Sequence, residues 1–482
     1  MKFIKYIIPL FIFTIRGFLF SVTLHVPQDF LTIQSAINAS EDSDTIQVAP
    51  GIYYENISYT SKDIVIVSEY GPEVTIIDGE NNGSVVTFSG GESELAGLIG
   101  FQIQNGTGTY ISFLDYGGGI LVKSATPRLE NLIVHSNSAF AGGGIAYHST
   151  EPTNFTPSLK NCLIQNNYGS EGGGIFCANI SPIIENTQII SNGFDLNGSG
   201  GGINSMLAFP VLKNVEVSGN DSKWGGGIYC TSGGLTLENV EISTNSTIMH
   251  GAGLWFGLNS YLNGHNVLIK DNYADSFGGG AWIINSQNVE ITNFTIVENT
   301  ALNAGGMYIS NSEVMVLNSI IWDNFPQAAL LTSDPDDLYI AYSNIENGIS
   351  GIENEIGEVY YENGNIAENP QLNENYELSE SSPCIDTGTP NYTFENNYNI
   401  SIDTNFNGSA PDIGAYESDY NILIGDVNGD DLVNVVDVVL IVNAILGETE
   451  MTDEFVSLAD LNFDNNVNVS DIIILIGIIL NS

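Results

Sequence analysis

A pair of asparagines six residues apart, followed in most cases by three glycines and an isoleucine, recurs down the middle of this chain. The pairs are Asn131/Asn137, Asn161/Asn167, Asn186/Asn192, Asn214/Asn220, Asn239/Asn245, Asn266/Asn272, Asn293/Asn299 and Asn318/Asn324. The glycine runs begin at Gly117, Gly142, Gly172, Gly200, Gly225, Gly251 (GAGL), Gly278 (GGGA) and Ala304 (AGGM). Successive first asparagines lie roughly 25 to 30 residues apart, the period of a solenoid. Within one period, Ile228/Cys230, Leu235/Leu237 and Val240/Ile242 alternate with polar residues, which puts one face inside and one outside. Three short strands per coil, at 228–230, 235–238 and 240–243, with no helical stretch between them, predict an all-β parallel β-helix. The glycines then serve turns that need positive φ or close backbone approach. Stacked asparagines hydrogen-bond along the axis as amide ladders.

The phase of the coil is tested by the residue before each first asparagine, which should point outward. That column reads Glu130, Lys160, Glu185, Lys213, Glu238, His265, Thr292 and Leu317. Charge alternates rung by rung, as neighbouring strands prefer, so these lysines are structural. Cys177 and Cys230 share one slot of the repeat with a whole coil between them, about 9.6 Å at the usual strand spacing. That exceeds disulfide reach. Cys162 and Cys384 have no evident mates, so free buried thiols are expected.

Two further columns carry the candidate chemistry. The residue after each glycine-run isoleucine reads Leu121, Ala146, Phe176, Asn204, Tyr229, Trp255, Trp282 and Tyr308. Its outward aromatics, Phe176, Tyr229, Trp255, Trp282 and Tyr308, are expected to form a flat platform for stacking sugar rings, or else to stack on one another and stiffen the sheet. The residue before the second asparagine reads Asp271, Glu298 and Asp323 on successive coils. Carboxylates about 5 Å apart suit retaining glycoside hydrolysis or a Ca²⁺ site, although a solvated acidic edge gives the same pattern. Glu216/Glu241 is a second outward pair one rung apart.

Charge narrows the partners. The chain has 10 Lys+Arg against 57 Asp+Glu, a formal net charge of -47 over 482 residues. That surface repels phosphate backbones and excludes nucleic acid as a partner. It also opposes a polyanionic sugar unless cations bridge the two. The opening MKFIKYIIPLFIFTIRGFLFS has the basic start and apolar stretch of a secretory signal, read as 1–21, and export is expected. An uncleaved anchor would give a similar pattern.

The segment FLTIQSAINA (30–39) has helical spacing and caps the N-terminal end. The stretch TIQSAINASEDSDTIQVAPGIYYENI (32–57) resembles the opening of right-handed β-helix families of the pectin-lyase type. The GGGI and N-x-A repeats resemble those of polymorphic outer-membrane and surface β-helix proteins. SPCIDTGTPN (382–391) and DIGAYE (412–417) are similar to the closing segment of secreted bacterial β-helix proteins.

The C-terminal region carries two calcium-loop patterns. Asp426, Asn428, Asp430, Leu432, Asn434 and Asp437 fall at loop positions 1, 3, 5, 7, 9 and 12, and Asp460, Asn462, Asp464, Asn466, Asn468 and Asp471 repeat them. That spacing wraps oxygen ligands around one ion per loop, position 7 through its backbone carbonyl. Each loop runs into an apolar helix, 438–446 and 472–480. Loop plus exit helix, twice, resembles a type I dockerin, with Asp431 and Asn465 where the glycine of position 6 is usual. The resemblance implies two Ca²⁺ ions, a cohesin-type module or a cell-surface anchor as partner, and a setting among secreted proteins that act on polysaccharides.

The reading is therefore a signal at 1–21, a capped β-helix over 22–345, its closing segment over 346–418 and a dockerin over 419–482. A secreted or cell-surface monomer that binds polysaccharide or adheres is expected, tethered through its dockerin. The alternative is a glycoside hydrolase or lyase. Polysaccharide lyases of this fold usually need a Lys or Arg base beside calcium-binding acids, whereas polygalacturonase-type hydrolases use aspartates on adjacent coils; Lys62, Lys123, Lys223, Lys270 and Arg128 are the basic residues left for the lyase role, none in a recognisable motif.

Overall fold

The computed structural model describes residues 21–193, 198–333, 336–402, 406–420, 425–429, 432–448, 451–462 and 466–481. The expected signal, apart from Ser21, lies outside them, as do Asp430, Asp431, Asp464 and Asn465 of the calcium loops. From Thr23 to Tyr361 the chain winds as an all-β solenoid whose coils pair parallel, strand on strand, in one 21-stranded and one 12-stranded sheet. One coil runs through Ile228–Thr231, Gly234–Ser243 and Ser246–His250. The strand segments expected at 235–238 and 240–243 are a single strand bent at Asn239, which takes a left-handed conformation at φ 53°. The stretch between the expected strand at 240–243 and the glycine run at Gly251 contains a strand of its own, Ser246–His250, in a four-stranded sheet with Asp221–Trp224, Tyr273–Phe277 and Thr300–Asn303. Its inward residues are small (Ser222, Thr247, Ala274 and Ala301 in register), so it lacks the apolar alternation that marks the other strands.

Inward aliphatic and aromatic side chains stack from coil to coil into one core, from Val26 to Ile352. Its N-terminal end is closed by α1 (Ile33–Ala39), starting three residues inside the expected 30–39. Thr32 caps it with a reciprocal bond to Ser35, and Ile33, Ala36 and Ile37 are fully buried beneath it. Each of the two isoleucines stabilises by about 1.5–3 kcal/mol relative to exposure. Lys62 ends the helix, its Nζ donating to the carbonyls of Ile37 at 2.6 Å and Ser40 at 2.7 Å. That removes Lys62 from the candidate catalytic bases.

The asparagines form two ladders of opposite sense. The second member of each pair is buried, and its Nδ2 donates to the Oδ1 of the next coil, from Asn137 through to Asn324, at 2.9–3.1 Å. First members lie outside in left-handed conformations, and there Asn186, Asn214, Asn239 and Asn266 each donate to the preceding coil at 3.1–3.3 Å. The glycines of one run differ in purpose. Gly225 has φ 61°, whereas a Cβ on Gly226 would stand 2.3 Å from the Ser246 carbonyl of the next coil. Only glycine lets consecutive coils approach so closely there.

The charge column is in register over every step, Glu130↔Lys160↔Glu185↔Lys213↔Glu238. Lys160 meets Glu185 at 2.6 Å and Lys213 meets Glu238 at 2.5 Å. Thr292 and Leu317 continue the column but are buried, not exposed, because the later chain covers them. Coil pairing continues through Glu358–Tyr361, beyond the expected end at 345. From there the chain doubles back along the outside of the solenoid. Phe394 and Ile400 pack on Leu317, Thr389 bonds Asn318, and the carbonyls of Asp412 and Gly414 accept from Asn293. The outer ladder stops at Asn266 because Asn293 and Asn318 turn to this strap.

Cys177 and Cys230 flank Ser205 in one inward column, two rungs apart, and all four cysteines are free and buried. At the C-terminus α2 (Val435–Ile445), α3 (Asp453–Ala459) and α4 (Val469–Asn481) share a core of Ile441, Ala459, Leu461 and Leu475. Helices α2 and α4 start three residues earlier than expected. For α2 the reason is a cap: Asn434 and Asp437 bond each other's backbone N–H groups. Helix α3, a short helix between the loops, has no counterpart among the elements expected from the sequence. No helix of the described residues is long and apolar enough to cross a membrane.

Candidate functional site

The strand segments after the outer ladder present one outward column, Gln188, Glu216, Glu241, Leu268, Thr295 and Ile320, in unbroken register. Its first three members are polar and its last three buried. Leu372, Leu378, Ala415 and Tyr416 of the strap seat on the apolar half. Beside the polar half runs a groove with the outer ladder amides along one side, Gln188, Glu216 and Glu241 on its floor, and Tyr416 at its end. It continues past Asn239 and Asn266 between the ladder and the strap residues Glu377 and Tyr416 to Tyr420. Glu216 is held in place by Gln188 Nε2 at 2.7 Å and the Ser218 hydroxyl at 2.6 Å. Glu241 pairs with Lys270 at 3.3 Å, and the Lys270 ammonium also lies over the Tyr376 ring at 4.5 Å. This groove is what residue-by-residue reading underrated, since its wall comes from chain more than a hundred residues away. The one sequence signal was the change from polar to apolar along the floor column.

The acids expected to be catalytic sit at the next turn, all three in left-handed conformations and exposed. Asp271 and Glu298 come together on the Tyr376 hydroxyl, which donates to Glu298 Oε2 at 2.6 Å and lies 3.4 Å from Asp271 Oδ2. Partial burial, then the Glu298 charge, raises the Asp271 carboxyl above its ordinary value. Asp323 stands apart, its amide donating to Glu346. No three acidic, histidine or cysteine side chains among the described residues are arranged to hold a metal ion here, so the Ca²⁺ reading of the trio finds no support in this geometry.

The aromatic column is in register as expected, from Phe176 through Asn204 to Tyr229, Trp255, Trp282 and Tyr308. It is not flat. Tyr229 stacks on Trp255 at 4.2 Å, but Trp255 meets Trp282 at 69° and Trp282 meets Tyr308 at 86°. His250 stands edge-on to Trp282, and Trp255 is only 8% exposed. Phe176 is buried against Tyr116 and Leu121 under an added sheet that includes the hairpin Thr109–Ile111 and Leu114–Tyr116. Edge-to-face packing lets the rings bury one another; a flat floor would have left five large faces in water.

Two helix starts define the expected calcium loops. Asp437 and Asp471, at position 12, are fully buried, and each carboxylate accepts two backbone N–H bonds, at 2.8 and 3.1 Å and at 2.8 and 3.2 Å. Asp426 and Asp460, at position 1, are nearly buried too. No Lys, Arg or His follows Lys270 anywhere in the sequence. Buried carboxylates with no basic side chain to balance them need a cation, and the oxygen-only donor set suits Ca²⁺. Asp426, Asn428, Asn434, Asp437 and their counterparts Asp460, Asn462, Asn468 and Asp471, with the carbonyls of Leu432 and Asn466, would hold it.

Comparison with known proteins agrees. Residues 226–399 match the right handed beta helix region and residues 424–480 match the dockerin type I domain. The chain is a right-handed β-helix protein that ends in a type I dockerin domain, a calcium-binding module that pairs with cohesins. A metabotropic glutamate receptor-like protein P of Dictyostelium discoideum is 31% identical over 265 residues, which is 55% of this chain but 18% of that protein. Among solved structures, the pectate lyase Pel9A aligns over 80% of this chain and 90% of its own at 13% identity and a TM-score of 0.38. The receptor binding domain of the siphovirus 9NA tailspike aligns over 75% and 79% at 11% identity and a TM-score of 0.32.

Proposed function

We propose that this is a secreted, polysaccharide-binding β-helix protein, divided much as the sequence implies, whose dockerin secures it to a cohesin-bearing partner. The groove beside the outer asparagine ladder is the observation that carries this reading. It offers amide groups at every rung, about 4.8 Å apart, with carboxylates on the floor and a tyrosine at the wall. Those groups match sugar hydroxyls, each of which both donates and accepts. The ladder bond uses one N–H and one lone pair of each exposed amide and leaves the others for a ligand. Asp271 and Glu298 serve in this reading to hold the strap through Tyr376, and the aromatic column stiffens the sheet.

A second reading, retaining glycoside hydrolysis, draws on Glu216 and Glu241. They are paired in register one rung apart on the groove floor, a separation that such enzymes use. Affinity electrophoresis over a panel of neutral and acidic polysaccharides, with reducing-sugar release measured in parallel, separates the two. Retention without product is the expected result. Product release that is lost in Glu216→Gln or Glu241→Gln would replace binding by hydrolysis, and absence of retention on every glycan would end the proposal.

A further inference from the structure

Along the solenoid axis the floor of the groove is open at one end only. Over the N-terminal coils its floor is unobstructed, but past Glu241 the same column is sealed: Leu268, Thr295 and Ile320 are 2%, 1% and 0% exposed beneath the strap. Tyr416 stands at that boundary and lines the groove on both sides of it. Its hydroxyl makes no hydrogen bond among the described residues, although its ring is half-buried against Leu268 and Ala415. An extended polymer lying on this floor along the solenoid axis can therefore run free in one direction and meets the strap in the other.

Charge settles which polymer. Glu216 and Glu241 form the floor and Glu377 stands by the wall. Lys270 is already paired with Glu241, Lys213 beside the ladder is paired with Glu238, and no basic residue follows Lys270 in the chain. Uronate carboxylates would meet like charge at the two successive rungs of Glu216 and Glu241, while neutral sugar hydroxyls can donate to the same oxygens in charge-assisted bonds.

We propose that this groove receives the end of a neutral polysaccharide chain, with Tyr416 and Glu377 as the stop against which its terminal sugars rest. The inference rests on the glycan-binding reading above and adds the class of ligand and the mode of recognition.

The test uses the full-length, calcium-loaded protein on amorphous cellulose, insoluble xylan and mannan, before and after limited acid hydrolysis that multiplies chain ends at constant mass. Binding capacity per gram is expected to rise in proportion to the ends. Capacity that stays constant while binding persists means internal recognition and overturns the stop, leaving the binding reading intact. Polygalacturonate retained as tightly as the neutral polymers overturns the ligand class. Failure to bind any of the four overturns the underlying reading together with this one. Tyr416→Ala should weaken binding about tenfold, the value of one good hydrogen bond. Because that change also uncovers Leu268, Glu216→Gln serves as the second variant. It should lower affinity for the neutral polymer and raise it for polygalacturonate, a reversal that loosened packing would not produce. Unchanged affinities in both variants overturn the assignment.

Discussion

Asn245 of the inner ladder is fully buried, and its side chain takes part in four hydrogen bonds: from the Asn220 backbone N–H and Nδ2, both at 3.0 Å, to the Val217 carbonyl at 2.9 Å and to Asn272 Oδ1 at 3.0 Å. Asn245→Ala forfeits all of them and strands an amide and a carbonyl where water does not reach. At about 1 kcal/mol net per bond, and more for groups left unpaired, the cost is about 4 kcal/mol. Asn239 of the outer ladder makes two such side-chain bonds, to Asn214 and from Asn266, both in contact with solvent. Water replaces those, so Asn239→Ala loses mainly the tolerance of asparagine for φ 53°, about 1 kcal/mol. A solenoid opens locally, so one global midpoint would blur the comparison. Native-state hydrogen exchange of peptides spanning 214–250 is the suitable assay. The 3 kcal/mol difference predicts exchange roughly a hundredfold faster in Asn245→Ala than in Asn239→Ala. Equal acceleration in the two variants would refute the claim that burial, and not the amide contact itself, sets the value of a ladder.

Further expectations concern pH, thiols, calcium and the aromatic column. Burial against Trp282 and Phe277 lowers His250 to about 4, so the folded state binds its proton less readily than the unfolded chain. Its contribution is complete above about 6.5 and is lost as pH falls from there toward about 4; wild type should lose up to about 2 kcal/mol relative to His250→Phe over that window, measured as the difference between their melting curves. Without reductant, thiol titration should find no reactive group in the native protein and four after unfolding, since burial pushes Cys162 and Cys230 up to about 12. Chelation of the full chain should remove the ellipticity of α2 and α4 and leave the β signal, with full recovery on adding Ca²⁺; helicity that survives chelation would refute the metal requirement argued from Asp437 and Asp471. Trp255→Ala should cost about 3–5 kcal/mol in local stability by the same exchange measurement while glycan retention persists; lost retention at unchanged stability would restore the column as a binding face.

The repeat was legible because each of its signals is local. A period-two alternation, a left-handed asparagine and a glycine run each impose their geometry within a few residues. Stacking then copies that geometry at one strand spacing, so the order of Glu130, Lys160, Glu185 and Lys213 in sequence becomes their order in space. The dockerin was legible for the same reason: twelve consecutive residues carry the whole spacing of a loop, and the loop occurs twice. Only the tertiary structure could show that the chain after 361 turns back over the face it has just built. That return buries Leu317 and Thr292 in a column otherwise exposed, ends the outer ladder at Asn266, sets Tyr376 on Asp271 and Glu298, and stands Tyr416 across the groove. Contacts such as Tyr376 to Asp271 join residues 105 apart in sequence. They depend on where a strap lands on a finished surface, and no spacing along the chain encodes that. The herringbone of Trp255, Trp282 and Tyr308 belongs with them: alternation fixes which face a ring leaves from, but the angle at which rings meet is decided by the space between neighbouring side chains.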